Sequence, residues 1–310
     1  MTKLVGRATA RRPTKSAMHF SAGGVGNFWL ITIIVLLLTA ATIHIQLSTY
    51  PNHDVAWVLW GTQELLTGAR WGVDIIEPNP PLAWYLSMPS TALGMSLGLP
   101  LDWTYRILVS LLAALSAGCF AWLLRGTRSR IGVGMLCAAV AACLLLLPGR
   151  EFGQREHLAA MAVMPYLALA SRQAGPEGRI SHLAATLIGL AAGMGVALKP
   201  YFIAVPLLVE GAVQLFGNRR VSLFRIENIA LGAVIAIYAG FLLLFEQAYL
   251  SQVVPLANEI YWSFNLPLIA IWPKLIQAFV LAIPIIVYAI YQRDSLGIVL
   301  AAALCGFAAS

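Results

Sequence analysis

STYPNHDVAWVLWGTQELLTGARWGVDIIEPNPPLAWY, residues 48–85, sets the terms on which the rest of the chain is read. It follows the first long apolar run and places Asp54, Asp74 and Glu77 within 24 positions of a chain where charge is scarce. Val55, Val58, Leu59, Leu65 and Leu66 recur at helical spacing, with Gln63 and Glu64 on the opposite face. Trp57 and Trp60 suit a membrane interface. Asn52 or Asp54 can cap this helix, and Gly68 ends it. Beyond it Pro80 and Pro81 start a second helical segment, 80–98, with a bend at Pro89.

The surroundings of that stretch are membrane-like. Hydrophobic residues make up 60% of the 310 residues and charged residues 11%, against about 25% charged in a soluble domain. Apolar runs predict spans over 28–47, 104–124, 131–148, 158–171, 182–198, 201–216, 226–245, 274–291 and 295–310. A first run of this length is expected to stay as an uncleaved helix rather than serve as a signal peptide. Gly23–Gly26 follows no strand and reads as a flexible lead-in rather than a phosphate cradle.

Segment 80–98 is apolar enough to compete as a further span, and positive charge arbitrates. If it lies along the interface, Arg125, Arg128, Arg130, Arg172, Arg179, Arg219, Arg220, Arg225 and Arg293 join the basic N-terminus on the cytoplasmic side. Arg70, Arg106, Arg150, Arg155, Lys199 and Lys274 remain at or near the outer face. If it crosses, those nine arginines face outward. The expectation is therefore an all-α polytopic protein of a bacterial inner membrane. It has nine transmembrane helices and two juxtamembrane helices in a first outer loop, 48–103. Residues 1–27 form a basic cytoplasmic segment and 28–310 one transmembrane domain. The net charge of +7 then follows from positive-inside loops and needs no nucleic-acid partner. Cys119, Cys137, Cys143 and Cys305 lie inside apolar runs, which supports neither a disulfide framework nor a cysteine metal site.

This topology gathers four polar elements on one side. They are the first loop, the turn GREFGQREH at 149–157, the Lys199-Pro200 turn, and the segment 246–273 with Glu259, Tyr261 and Trp262. Ionisable groups at a membrane rim are costly unless paired and mark function by default. An internal Arg–Glu network tying helix ends is the plainer reading of 149–157. Lys199 can snorkel to headgroups or bind a lipid phosphate as a point charge, and its turn at lipid depth makes it the first choice over Arg155 to neutralise such a phosphate. Glu210 lies within a span, where it can bond a neighbouring helix.

An aspartate opening an outer-loop helix, a Gly-bounded helix, an acid before Pro-Pro-Leu-x-x-Tyr and a second acidic turn two spans later form a pattern. Over roughly residues 28–216 it resembles the lipid-linked-sugar glycosyltransferases of the GT-C fold, nearest the bacterial relatives of protein O-mannosyltransferase and aminoarabinose transferase. The resemblance implies that Asp54 is the catalytic base and that Glu77 and Glu156 match the family's further acids. Arg155, His157, Lys199, His53 and Asn79 stand beside them as substrate-binding candidates. Asn79 occupies the place where aminoarabinose transferases carry a lysine. The chain ends inside an apolar run at Ser310, where family members usually continue.

The implied partners are a polyprenyl-phosphate-linked sugar, an envelope glycan, lipid or protein acceptor, and the lipid bilayer. One base and a leaving phosphate predict direct displacement with inversion. Asp54, Glu77, Glu156 and His157 have donor types that suit a divalent metal, but they lack Asp-x-Asp or His-Glu-x-x-His spacing. The expectation is catalysis without a metal or other cofactor. A transporter or lipid flippase, with the same charges lining a substrate path, stays open as the alternative, as does a scaffold whose charged turns join its helices.

Overall fold

The computed structural model describes residues 23–175, 180–217, 221–263 and 294–309, with 283, 287 and 291 placed between the last two stretches. The expected span 274–291, Lys274, Arg179, Arg219, Arg220, Arg293 and residues 1–22 of the basic N-terminal segment lie largely or wholly outside them. The fold is all-helical, 80% helix, with no strand among the described residues. In chain order the helices are α1 (Gly23–Leu47), α2 (His53–Leu66), α3 (Leu82–Leu97), α4 (Leu101–Leu123), α5 (Arg130–Leu145), α6 (Arg155–Ala174), α7 (His182–Ala197), α8 (Ala204–Phe216), α9 (Ile226–Phe245), α10 (Val254–Ser263) and α11 (Ser295–Ala309). Short 3-10 helices cover Gly149–Glu151 and Pro200–Ile203, and a π-helix covers Tyr249–Val253. Gly23–Gly26 opens α1 as helix, where a flexible lead-in was expected.

Among the described residues two helices are long and apolar enough to cross a membrane, α4 and α9. Along α9 only 11% of its most apolar 18-residue window is buried. Ile237, Leu243, Leu244 and Phe245 point outward, and an exposed apolar patch of that kind marks a surface for membrane or protein contact. Five more of the expected spans are shorter apolar helices: Ile31–Leu47, Arg130–Leu145, His182–Ala197, Pro200–Phe216 and Ser295–Phe307. α6, expected as a span over 158–171, belongs to neither group. Its ends carry Arg155, Glu156, His157 and Arg172, and Pro165 interrupts its middle.

α4 is central, packing against α1, α3, α5 and α6; α6 continues to α7, α8 and α11, and α7 to α9. Small residues let these helices approach closely. Ala113, Ala117 and Phe120 of α4 are fully buried. α7 crosses α9 closely: a Cβ on Gly189 would come within 2.2 Å of the Glu227 carbonyl oxygen, and one on Gly193 within 2.8 Å of Val234.

Polar contacts separate the two ends of the bundle. At one end the Arg172 guanidinium donates to the Leu123 and Arg125 carbonyls, at 2.8 and 3.0 Å. There too Arg128 pairs with Asp294, and Arg225 bridges Glu210 at 2.5 Å and Glu227 at 2.7 Å. At the opposite end the 149–153 turn meets the end of α1, the start of α2 and the start of α4. The first loop is tied to the segment after α9: Tyr249 donates to the Pro78 carbonyl at 3.0 Å, and Tyr85 hydrogen-bonds to Glu246. α3 starts beside Glu246 and ends through left-handed Gly98 at the start of α4, so both of its ends lie at this same end.

Candidate functional site

The site grows from the entry into α2. Asn52, with extended backbone, is the N-cap: its Oδ1 accepts the Asp54 N–H at 3.0 Å. Of the two possible caps, Asn52 therefore has the role. Asp54 sits in the first turn with its carboxylate 45% exposed and the His53 ring 3.2 Å away. The free N–H groups and dipole of a helix start favour an anion there.

Facing Asp54 is the turn before α6. Asp54, Val55 and Val58, Tyr105, and Gly153, Gln154 and Arg155 border one narrow cleft. The Arg155 guanidinium lies over the Trp84 ring, 5.9 Å from its centroid, a geometry that favours a cation. Its Nη1 is buried and has no hydrogen-bond partner among the described residues. The turn is held rigidly. Tyr105 donates its hydroxyl to the Gly153 carbonyl at 2.5 Å. Gly153 has φ +83°, and a Cβ there would come 2.7 Å from the Tyr105 ring. His157 accepts the Gly153 N–H at Nδ1, 3.0 Å, and its Nε2 lies 2.7 Å from the Leu144 carbonyl. Those partners assign the proton to Nε2 and leave the imidazole neutral. Both ring nitrogens thus serve the backbone.

Glu77 is equally occupied. Trp57 donates its indole N–H to Oε2 at 2.8 Å, and Asn79 donates its backbone N–H and side-chain amide to Oε1 at 3.0 and 2.5 Å. Glu77 and Asn79 therefore fasten the proline-rich turn to α2. Trp57 lies three residues beyond Asp54 on the same helix. Glu156 forms an ion pair with Lys199, whose ammonium also lies 5.4 Å from the Tyr201 ring centroid. Burial raises the Glu156 carboxyl, but the Lys199 hydrogen bond and charge outweigh it and hold the carboxyl below its usual range. Burial likewise lowers Lys199, and Glu156 more than offsets this, leaving the ammonium above its ordinary value.

The structure thus brings Asp54 and Arg155 to one cleft, with the exposed His53 beside Asp54 and with Glu156, His157 and Lys199 adjoining through the first turn of α6. Glu77 and Asn79 are joined to α2 through Trp57 and do not border that cleft. Trp84, Tyr105 and Gly153 complete the site and were not singled out in the sequence. Trp84 follows the proline pair as one more interfacial aromatic, and nothing local connects Tyr105 with Gly153.

Beneath the cleft lies an apolar cavity of about 410 Å³ between α3, α4, α6 and α7, lined by residues such as Leu112, Met161, Pro165 and Met194. Tyr105 and Leu158 border both the cavity and the cleft, and Leu198 closes the cavity next to Lys199. Among the described residues no three His, Cys, Asp or Glu side chains are grouped to hold a metal ion. No protein-family model, curated protein or solved structure matches the chain.

Proposed function

We propose that the protein is an integral-membrane glycosyltransferase that moves a sugar from a polyprenyl-phosphate donor to an envelope acceptor at the outer membrane face. In this reading the bundle is GT-C-like, with nine spans and with α2 and α3 lying along the interface. The observation that carries it is that the apolar cavity and the polar cleft lie side by side, with Tyr105 and Leu158 bordering both. The first has the apolar lining that suits a prenyl chain; the second, about 10 Å³ as it stands, has to open before a sugar phosphate enters between Asp54 and Arg155. Pockets that pair a large apolar body with a few convergent polar groups are the usual form of ligand sites.

Asp54 takes the proton from the acceptor hydroxyl. The acceptor oxygen attacks the anomeric carbon, and the bond to the phosphate oxygen breaks with inversion. The polyprenyl phosphate leaves with the electron pair. The leaving phosphate is assigned to Arg155, because Lys199 is already neutralised by Glu156 whereas Arg155 has an unpartnered N–H.

The test is a mass profile of envelope glycans and glycolipids in a deletion strain complemented with wild type or Asp54→Asn, with membrane levels matched by immunoblot. Wild type is expected to restore a sugar-sized mass, and Asp54→Asn to lower it on the order of 100-fold or more, the usual scale for a positioned general base. Full restoration by Asp54→Asn rejects the base assignment and favours a flippase, which uses the same cavity without proton abstraction.

A further inference from the structure

We infer that a second pocket at the site end, between the end of α1, the start of α4 and the 149–152 turn, binds a phosphate-type oxyanion. It encloses about 220 Å³ and is bordered by Gln46, Thr49, Asn52, Arg106, Arg150 and Phe152. The Ser48–Asn52 connection separates it from the Asp54 cleft, with which it shares no lining residue.

Arg106 makes this pocket a site. Its side chain is 2% exposed. Nη1 donates to the Thr49 carbonyl at 2.7 Å and also to the Gln46 carbonyl, which fixes the guanidinium plane against the chain connecting α1 to α2. Nη2 is buried and has no hydrogen-bond partner among the described residues. Its nearest carboxylate, Asp102, stands 3.9 Å away, which is too far for a hydrogen bond. A buried guanidinium with an unmet donor, paired with Asp102 by charge but not by a hydrogen bond, is unfavourable unless an acceptor completes it.

The neighbours agree on the sign of that ligand. Arg150 is exposed and borders the same pocket from the turn, so two arginines line it from separate elements. Glu151, the other nearby acid, accepts from the Asn52 amide at 3.3 Å. The Gln46 amide is directed to the Gly149 carbonyl. The charged donors left for a ligand are therefore the two arginines, with the Tyr50 hydroxyl beside them, and planar guanidinium forks match the oxygens of a phosphate. The volume exceeds what a single carboxylate needs. Ile45, half exposed beside the pocket, leaves it open to an apolar surround, so the phosphate can belong to a lipid headgroup or be free in solution. This inference does not rest on the transferase reading.

The full chain in nanodiscs supplies the test, in two arms. In phosphatidylcholine discs, inorganic phosphate is titrated while thermal unfolding is followed. In discs containing phosphatidylglycerol, native mass spectrometry counts retained lipids. Arg150→Ala removes an exposed side chain and leaves the buried frame intact, whereas Arg106→Lys keeps the charge and removes the fork. Phosphate stabilisation that weakens about tenfold or more in Arg150→Ala supports a site for free phosphate. Retention of phosphatidylglycerol that falls by a similar factor supports a headgroup site. A response in neither arm, or one identical in wild type and Arg150→Ala, overturns the inference. If Arg106→Lys does not fold, Arg150→Ala still decides.

Discussion

Asn52 determines what Asp54 is free to do. Because the asparagine satisfies the helix start, the aspartate is spared a capping role and keeps its carboxylate toward the cleft. The same logic separates the cations: Arg155 retains an unmet donor, while Lys199 is held by Glu156. That ion pair carries a pH signature. Glu156 is held below its ordinary value, so its contribution to stability is present above about pH 4.3 and is lost as pH falls through the depressed value. Lys199 is held above its ordinary value, so its contribution is complete below about pH 10.4 and is lost as pH rises through the raised value. Glu156→Gln should therefore unfold at a lower temperature than wild type at neutral pH. The gap should close on acidification below the carboxylate range, as read by thermal unfolding in detergent at a series of pH values. A gap that stays constant down to pH 3 would rule out the pair as its source. The sequence displayed both residues as conspicuous charges, yet not their partnership, because 43 positions separate them and no periodic pattern spans that distance. His157 illustrates the same limit: its residue type suggested chemistry, but its surroundings commit both nitrogens to the backbone.

At the scale of elements, the 149–157 turn is the part on which the cleft depends. Its shape requires glycine at 153, where φ is +83° and Tyr105 occupies the space a side chain would need. Gly153→Ala should cost on the order of 1–3 kcal/mol from the left-handed backbone alone, with more from the clash. It should weaken activity together with thermal stability. Gly153→Ala with wild-type melting temperature and wild-type activity would show that the turn tolerates rearrangement. The crossing of α7 on α9 is a second such constraint. Gly189→Val places atoms against the main chain of Glu227, which cannot retreat as a side-chain tip would. The variant should accumulate poorly in membranes, as measured by immunoblot against wild type. The existence of α2 and α3, the proline start of α3 and its stop at Gly98 were legible, since caps, breakers and 3.6-residue spacing are local signals. What was not legible is which helices touch. Tyr105 and Gly153 are each unremarkable in their own segments, and their contact depends on how α4 and α6 pack.

At the scale of the molecule, charge and packing agree about the two ends. The arginines used to orient the chain, Arg125, Arg128, Arg172 and Arg225, cluster at the end away from Asp54. Both ends of α3 meet elements at the Asp54 end. If the bundle spans a bilayer in that sense, α3 does not cross, and surface labelling can decide the matter without any assay of activity. In a chain whose four cysteines, all free and all within helices, have been replaced, single cysteines are placed at Tyr50, Ser96 and Ser222. All three positions are exposed. A membrane-impermeant maleimide applied to intact spheroplasts should label Tyr50→Cys and Ser96→Cys. It should reach Ser222→Cys only after permeabilisation. Labelling of Ser222→Cys in intact spheroplasts, with Ser96→Cys reached only after permeabilisation, would instead mean that α3 crosses. The basic clusters would then lie outside, against the charge bias of membrane insertion. Asp54 and Arg155 could no longer share one aqueous face, and the transferase proposal would fail at its foundation, before any question of which residue takes the proton.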